Sequence, residues 1–152
     1  MRGPNGEELP QAVLFACTQN AVRSPMAAAI MRYLYGKFCY IDSVGVRGGE
    51  KDEMIVEVLD EIGIELGKHR PKSFDALEDQ SFDLVITLSP EAHHKAMELT
   101  RTMAVDVEYW PMHDPTVVEG SREQRLDAYR AVRDELMRRI RTRFAVDRAS
   151  DA

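Results

Sequence analysis

Four times along this chain a short apolar or alternating run gives way to a segment with helical spacing, and that order of elements constrains the fold more than any other feature. Ala12-Val13-Leu14-Phe15-Ala16 is continuously apolar, as a strand buried on both faces is. Further strands are predicted at Tyr40–Val46, at Leu84–Leu88 and, with alternating character, at Val105–Trp110. The first helix opens around Pro25, where a missing N–H costs nothing, and runs through Ala27, Ala28, Ile30, Met31 and Leu34 to Gly36. The second places Met54, Ile55, Val58, Leu59 and Ile62 at the 3.6-residue period and stops at Gly63. A third opens near Pro90. The last begins at the capping-box pattern Ser121-Arg122-Glu123-Gln124 and lines up Leu126, Tyr129, Val132, Leu136 and Ile140 on one face. Arg138, Arg139, Arg141 and Arg143 near its end complement the helix dipole and read as a solvated helix end. Such alternation implies an α/β three-layer sandwich, with parallel strands, right-handed crossovers and helices on both faces.

A chain of 152 residues suits one domain. It is expected at residues 11–144, after an irregular lead-in at 1–10 and before a frayed tail at 145–152. No apolar run approaches the roughly 20 residues that cross a bilayer. Glu7 and Glu8 stand where a signal peptide would be apolar, so a cytoplasmic protein is expected. A net charge of -6 argues against nucleic-acid and membrane partners, which favour a basic footprint. It does not exclude an anionic substrate held by a local nest of amides and one arginine. The two cysteines, Cys17 and Cys39, make no disulfide framework and no CxxC grouping. His93-His94 lack a third ligand at metal spacing and read as an exposed helix start.

In open parallel sheets, ligands bind beyond the carboxyl ends of the strands. The loop after the first strand, Cys17-Thr18-Gln19-Asn20-Ala21-Val22-Arg23-Ser24-Pro25, and the loop after the fourth, Pro111-Met112-His113-Asp114-Pro115, both lie on that rim. Cysteine attacks as the thiolate. At Cys17 a negative sulfur would face the amides of a tight loop and the positive end of the following helix, partial charges that stabilise it. The same amides, across Thr18, Gln19, Asn20, Ala21, Val22 and Ser24, suit phosphoryl oxygens. The planar fork of Arg23 can bind two oxygens at once. Asn20 tolerates the left-handed backbone a cradle of this kind needs, and Ser24 can donate to the Cys17 sulfur. Asp114 is the best-placed acid for a leaving group, with Pro115 holding it extended. The plainer alternative is a turn aspartate before proline. Cys39 reads as a small buried hydrophobe, and His69 and His113 as structural or solvent-facing. Tyr109 and Trp110 are strand residues, either of which could wall a substrate pocket.

Cys17-x5-Arg23-Ser24-Pro25 directly after the first strand, with Asp114-Pro115 late in the chain, resembles the low-molecular-weight protein tyrosine phosphatase family. That family is related to the thioredoxin-coupled arsenate reductases. The likeness spans roughly residues 12–143. It implies a four-stranded parallel sheet in the order 2-1-3-4, no metal or other cofactor, and two-step hydrolysis through a phosphocysteine. By resemblance Cys17 is the nucleophile, Arg23 the phosphate-binding arginine and Asp114 the general acid, with Asn20 and Ser24 in supporting positions. Ser43-Val44-Gly45 resembles the family's serine-x-glycine after the second strand, and His69 a histidine common before the third.

The sequence departs from the family at three places. Gln19 stands where most members have glycine, Val22 replaces a cysteine many phosphatases carry beside the arginine, and Thr116-Val117 replaces paired tyrosines after Asp114-Pro115. The expected function is hydrolysis of aryl phosphate esters, phosphotyrosine proteins among them. An arsenate reductase reading gains from Cys17-Thr18 and Trp110, but Ser89–His94 contains no resolving thiol, so an external thiol donor would be required. The third reading is a non-catalytic phosphate or phosphoprotein sensor.

Overall fold

Side chains alternate along β1 (Ala12–Cys17), with Val13, Phe15 and Cys17 entering one layer of the core and Leu14 and Ala16 the other. The continuous apolar run is therefore a strand buried on both faces. The structure is a computed structural model describing residues 9–77 and 81–144. Most of the expected lead-in and all of the expected tail lie outside the described residues.

The sheet is formed by β1, β2 (Tyr40–Gly45), β3 (Leu84–Thr87) and β4 (Asp106–Tyr109), all parallel and in the order β2-β1-β3-β4. Cys17 pairs in register with Gly45, Ala16 with Thr87, and Thr87 with Tyr109, so the four carboxyl ends share one rim. The helices are α1 (Arg23–Tyr35), α2 (Glu53–Asp60), α3 (Pro90–Leu99) and α4 (Arg122–Arg143). On one face α1 packs on β1, β2 and α4, and α2 packs on α4. On the other, Ala92 and Ala96 of α3 close over Leu14 and Val85 together with Phe74 and Phe82. No helix of the described residues is long and apolar enough to cross a membrane.

The helix boundaries follow the local chemistry. Ser121 Oγ accepts from Gln124 N at 3.1 Å and Gln124 Oε1 accepts from Ser121 N at 2.8 Å, completing the predicted capping box. At the end of α2, Ile64 N donates to Leu59 O and Gly63 N to Asp60 O, both at 3.0 Å. With Gly63 at φ +75°, this is a glycine-terminated Schellman cap.

Two sequence expectations are corrected here. Trp110 turns into the core, packed edge-on against Phe15 at 6.3 Å and beside Phe144 at 6.4 Å, because its ring lies over the buried α4 side of the sheet. The C-terminal arginines are also more than a solvated helix end. Arg143 Nε donates to Glu108 Oε2 on β4 at 2.8 Å and Arg139 covers the Trp110 ring, while Arg138 and Arg141 stay exposed. Removing the Phe15 ring from this cluster should cost about 3–5 kcal/mol.

Candidate active site

The loop from Cys17 to Arg23 hangs from its neighbours by its carbonyl groups. Cys17 O accepts from Val46 N at 3.0 Å, Thr18 O from Arg47 N at 3.0 Å and Gln19 O from Gly49 N at 2.8 Å. Asn20 O accepts from His69 Nε2 at 2.8 Å. In a trans peptide the N–H points away from the C=O. With four successive carbonyls turned outward, the N–H groups of Thr18, Gln19, Asn20 and Ala21 point to the opposite side, into the loop. The α1 N-terminus, beginning at Arg23, adds the positive end of its dipole. This nest suits a tetrahedral oxyanion.

Asn20 is the hub that shapes the turn. It is the one non-glycine residue with positive φ (54°) among the described residues, and it is fully buried. Its Nδ2 donates to Ser24 Oγ and to Ser43 Oγ, both at 2.9 Å, and its Oδ1 accepts from Lys72 N at 3.0 Å. The serine-x-glycine segment is explained by the same contact. Ser43 receives Asn20, and a Cβ at Gly45 would come within 2.7 Å of Asn20 N and 2.8 Å of Gln19 C. Burial pushes the His69 imidazole below its usual range, an effect that nearby Arg32 and Lys72 reinforce. Because Asn20 O can only accept, the neutral ring carries its proton on Nε2.

Cys17 is buried at the cavity floor, with 2% of its surface exposed, and its Sγ lies 2.9 Å from Ser24 Oγ. Ser24 Oγ accepts from Asn20, so its single proton is shared between Val44 O at 3.2 Å and the sulfur. Arg23 is buried, its Nη1 donating to Met112 O at 3.1 Å and its Nη2 lying 3.8 Å from Asp114 Oδ2. The strand-one and strand-four loops, linked by a hydrogen bond between residues 89 apart in sequence, thus meet at one site. Asp114 Oδ1 accepts from Thr116 N at 2.9 Å and Thr116 Oγ1 at 2.7 Å.

A cavity of about 360 Å³ opens above the sulfur. It is lined by Cys17, Thr18, Gln19, Ala21, Val22, Arg23 and Asp114, and also by Arg47, Ser89, Pro90, Glu91 and Thr116, to which sequence reasoning gave no role at the site. Asn20 and Ser24 sit beneath and hold the loop. Ser89 caps α3 and receives the Thr18 hydroxyl at 3.0 Å. Arg47 and Glu91 pair across the mouth at 3.3 Å. The Asp-Pro-Thr pattern was the available clue to Thr116, since an aspartate cap followed by proline opens a helical turn.

Other candidates stand apart. Neither Tyr109 nor Trp110 borders the cavity; Tyr109 stacks on His93 at 4.6 Å instead. His93 is therefore tied down, with Nδ1 at 3.0 Å from Thr87 Oγ1, whereas His94 is exposed. His113 faces solvent, and the polar partners of Asp114 are Arg23 and Thr116. Cys39 is buried beside the opposite end of β1, where burial raises its thiol above the usual range, with Asp83 adding to the effect. Among the described residues no group of three or more His, Cys, Asp or Glu is placed to hold a metal ion.

Comparison with known proteins agrees with this architecture. The family model for low molecular weight phosphotyrosine protein phosphatase matches residues 12–148. An arsenate reductase of Halalkalibacterium halodurans is 30% identical over 133 residues, covering 87% of this chain and 94% of that protein. The low molecular weight protein tyrosine phosphatase of T. tengcongensis superposes with a TM-score of 0.71 at 27% identity, covering 87% of this chain and 96% of that one. A YwlE arginine phosphatase mutant, with a phosphorylated active-site serine in place of cysteine, gives 0.70 at 25% identity, covering 87% and 92%. The chain is an enzyme of this phosphatase-like class and belongs to the low molecular weight phosphotyrosine protein phosphatase family.

Proposed function

We propose that the chain hydrolyses aryl phosphate monoesters, phosphotyrosine in proteins being the natural class, with Cys17 as nucleophile, Arg23 as phosphate ligand and Asp114 as general acid. The observation that carries this reading is the placing of a buried sulfur below a nest of inward amides, with Arg23 and Asp114 on one side of the same cavity. Cys17 Sγ attacks phosphorus, the ester P–O bond breaks, and Asp114 gives a proton to the departing oxygen. The amides and Arg23 hold the equatorial oxygens where charge gathers. Water then attacks the phosphocysteine, Asp114 takes its proton, and Ser24 donates to the sulfur as it leaves. The phosphorylated active-site serine that replaces cysteine in the similar YwlE mutant supports phosphoryl transfer to the side chain at that position. Residues 11–144 form the catalytic unit, since the elements from β1 to α4 supply every group used.

Among the described residues, no aromatic side chain lines the cavity. Selection among substrates therefore falls to the polar mouth formed by Gln19, Arg47, Glu91 and Thr116. Metal-free hydrolysis of para-nitrophenyl phosphate, abolished in Cys17→Ser, is the expected outcome. Full activity in that variant, or phosphate binding without turnover on a broad ester panel, would contradict the reading.

The arsenate reductase relative favours a second reading, reduction of arsenate with an external thiol. Arsenite released in the presence of glutathione or a glutaredoxin would support it. No arsenite with any thiol donor removes it.

A further inference from the structure

We propose that the Thr116 hydroxyl positions Asp114 for proton transfer, by occupying one carboxyl oxygen and confining the transferable proton to the other. This rests on the phosphatase reading above and adds a residue to it. A protonated carboxyl group has one O–H donor and keeps acceptor capacity on its second oxygen. In Asp114 the oxygen Oδ1 receives two hydrogen bonds, from Thr116 N at 2.9 Å and from Thr116 Oγ1 at 2.7 Å. Both of its lone-pair directions are thereby used, so Oδ1 has no room for a proton. The oxygen left for a transferable proton is Oδ2, which lies 3.8 Å from Arg23 Nη2.

The backbone around Asp114 is anchored independently of that hydroxyl. Met112 O is held by Arg23, and Pro115 is buried where the short turn Pro115–Val117 packs on α4. What remains free is the rotation of the carboxylate about its own side-chain bonds. The Thr116 amide alone would complete an ordinary aspartate cap. The hydroxyl adds a second, shorter bond to the same oxygen and locks the plane of the group. Thr116 also lines the cavity over Cys17, so this clamp stands at the site.

During the first step the S–P bond forms, the ester P–O bond breaks, and the proton on Asp114 Oδ2 passes to the leaving oxygen. Acid assistance matters most when that oxygen is a poor leaving group. Dinitrophenolate departs with little help, whereas phenolate needs the proton.

The test is a leaving-group series on the full chain, reading kcat/KM for phenyl phosphate and for dinitrophenyl phosphate. Thr116→Val keeps the backbone donor and the side-chain volume but removes the hydroxyl. It should lose roughly tenfold more on phenyl phosphate than on dinitrophenyl phosphate, the scale of one hydrogen bond to a charged group. Thr116→Ser restores the hydroxyl and should restore the wild-type ratio. An equal loss on both esters, no loss on either, or a Thr116→Ser ratio matching Thr116→Val would overturn the proposal. Because the ratio is internal to each protein, partial misfolding does not imitate the effect. Wild-type protein inert towards both esters would instead defeat the phosphatase reading itself, and this proposal with it.

Discussion

Asn20 Nδ2 donates to Ser43 Oγ at 2.9 Å, tying the left-handed turn of the phosphate loop to the edge strand β2. The two residues are 23 apart in sequence, so the loop takes its shape from the sheet as well as from its own residues.

Asn20→Ala should therefore damage both stability and binding. It removes two buried hydrogen bonds and a part-buried one, leaves the Lys72 amide without its partner, and puts a Cβ residue with no compensating contacts at φ 54°. A loss of about 2 kcal/mol or more is expected, read as a lower chemical-denaturation midpoint. Phosphate protection against unfolding should vanish with it. A variant as stable as wild type and still protected by phosphate would show that the turn does not depend on this side chain.

Ser24→Ala tests the second step separately from the first. Without the hydroxyl 2.9 Å from Cys17, the sulfur loses its donor when it departs from phosphorus. Breakdown of the phosphoenzyme should slow by roughly tenfold. Rapid-mixing kinetics should then show a burst of phenolate equal to the enzyme concentration, followed by slow turnover. A uniformly slow reaction with no burst would assign Ser24 to the first step instead.

Acidification should loosen the support beneath the loop. Burial, reinforced by Arg32 and Lys72 and partly offset by the Asn20 carbonyl contact and Asp42, holds the His69 imidazole of the folded state below its ordinary range. The folded chain thus binds fewer protons than the unfolded chain between the depressed value and about pH 6.5, the ordinary imidazole value. Stability from this site is complete above that pH and is lost as pH falls through the window. The thermal midpoint of wild type should drop further between pH 7.5 and 5.5 than that of His69→Gln, both pH values being chosen to bracket about 6.5. Equal drops would remove His69 as the source.

Oxidation should leave no internal disulfide. Cys17 pairs with Gly45 at one end of β1, while Cys39 precedes Tyr40, the partner of Ala12 at the other end. Six residues of strand, from Cys39 to Gly45, at about 3.3 Å each hold the two cysteines roughly 20 Å apart, more than twice the limit for bridging. Peroxide should inactivate the enzyme with kinetics unchanged by Cys39→Ser. Mass spectrometry of non-reduced protein would contradict this by finding Cys17 joined to Cys39 within one chain.

Much of the fold was legible because its signals are local. The buried run at β1, the Ser121 cap and the Gly63 stop each depend on a few adjacent residues, and each recurs in the structure. The meeting of Cys17, Arg23 and Asp114 was legible because parallel topology sends their loops to one rim. What escaped depends on contacts across the chain. Trp110 sits at the end of a strand that alternates inward and outward, and nothing nearby says that Phe15 and Phe144 will enclose it. Arg47 and Glu91 look like ordinary surface charges until β2 and α3 bring them together over the cavity. Thr116 was read only as a missing tyrosine, although its hydroxyl is spent on Asp114.

Acid-quenched rapid mixing with para-nitrophenyl phosphate, followed by peptide mass spectrometry, tests the covalent role of Cys17 most directly. One phosphoryl group is expected on the peptide containing Cys17, accumulating further in Ser24→Ala and absent in Cys17→Ala. Turnover with no phosphorylated peptide in wild type or in Ser24→Ala, or undiminished turnover in Cys17→Ala, would contradict that role.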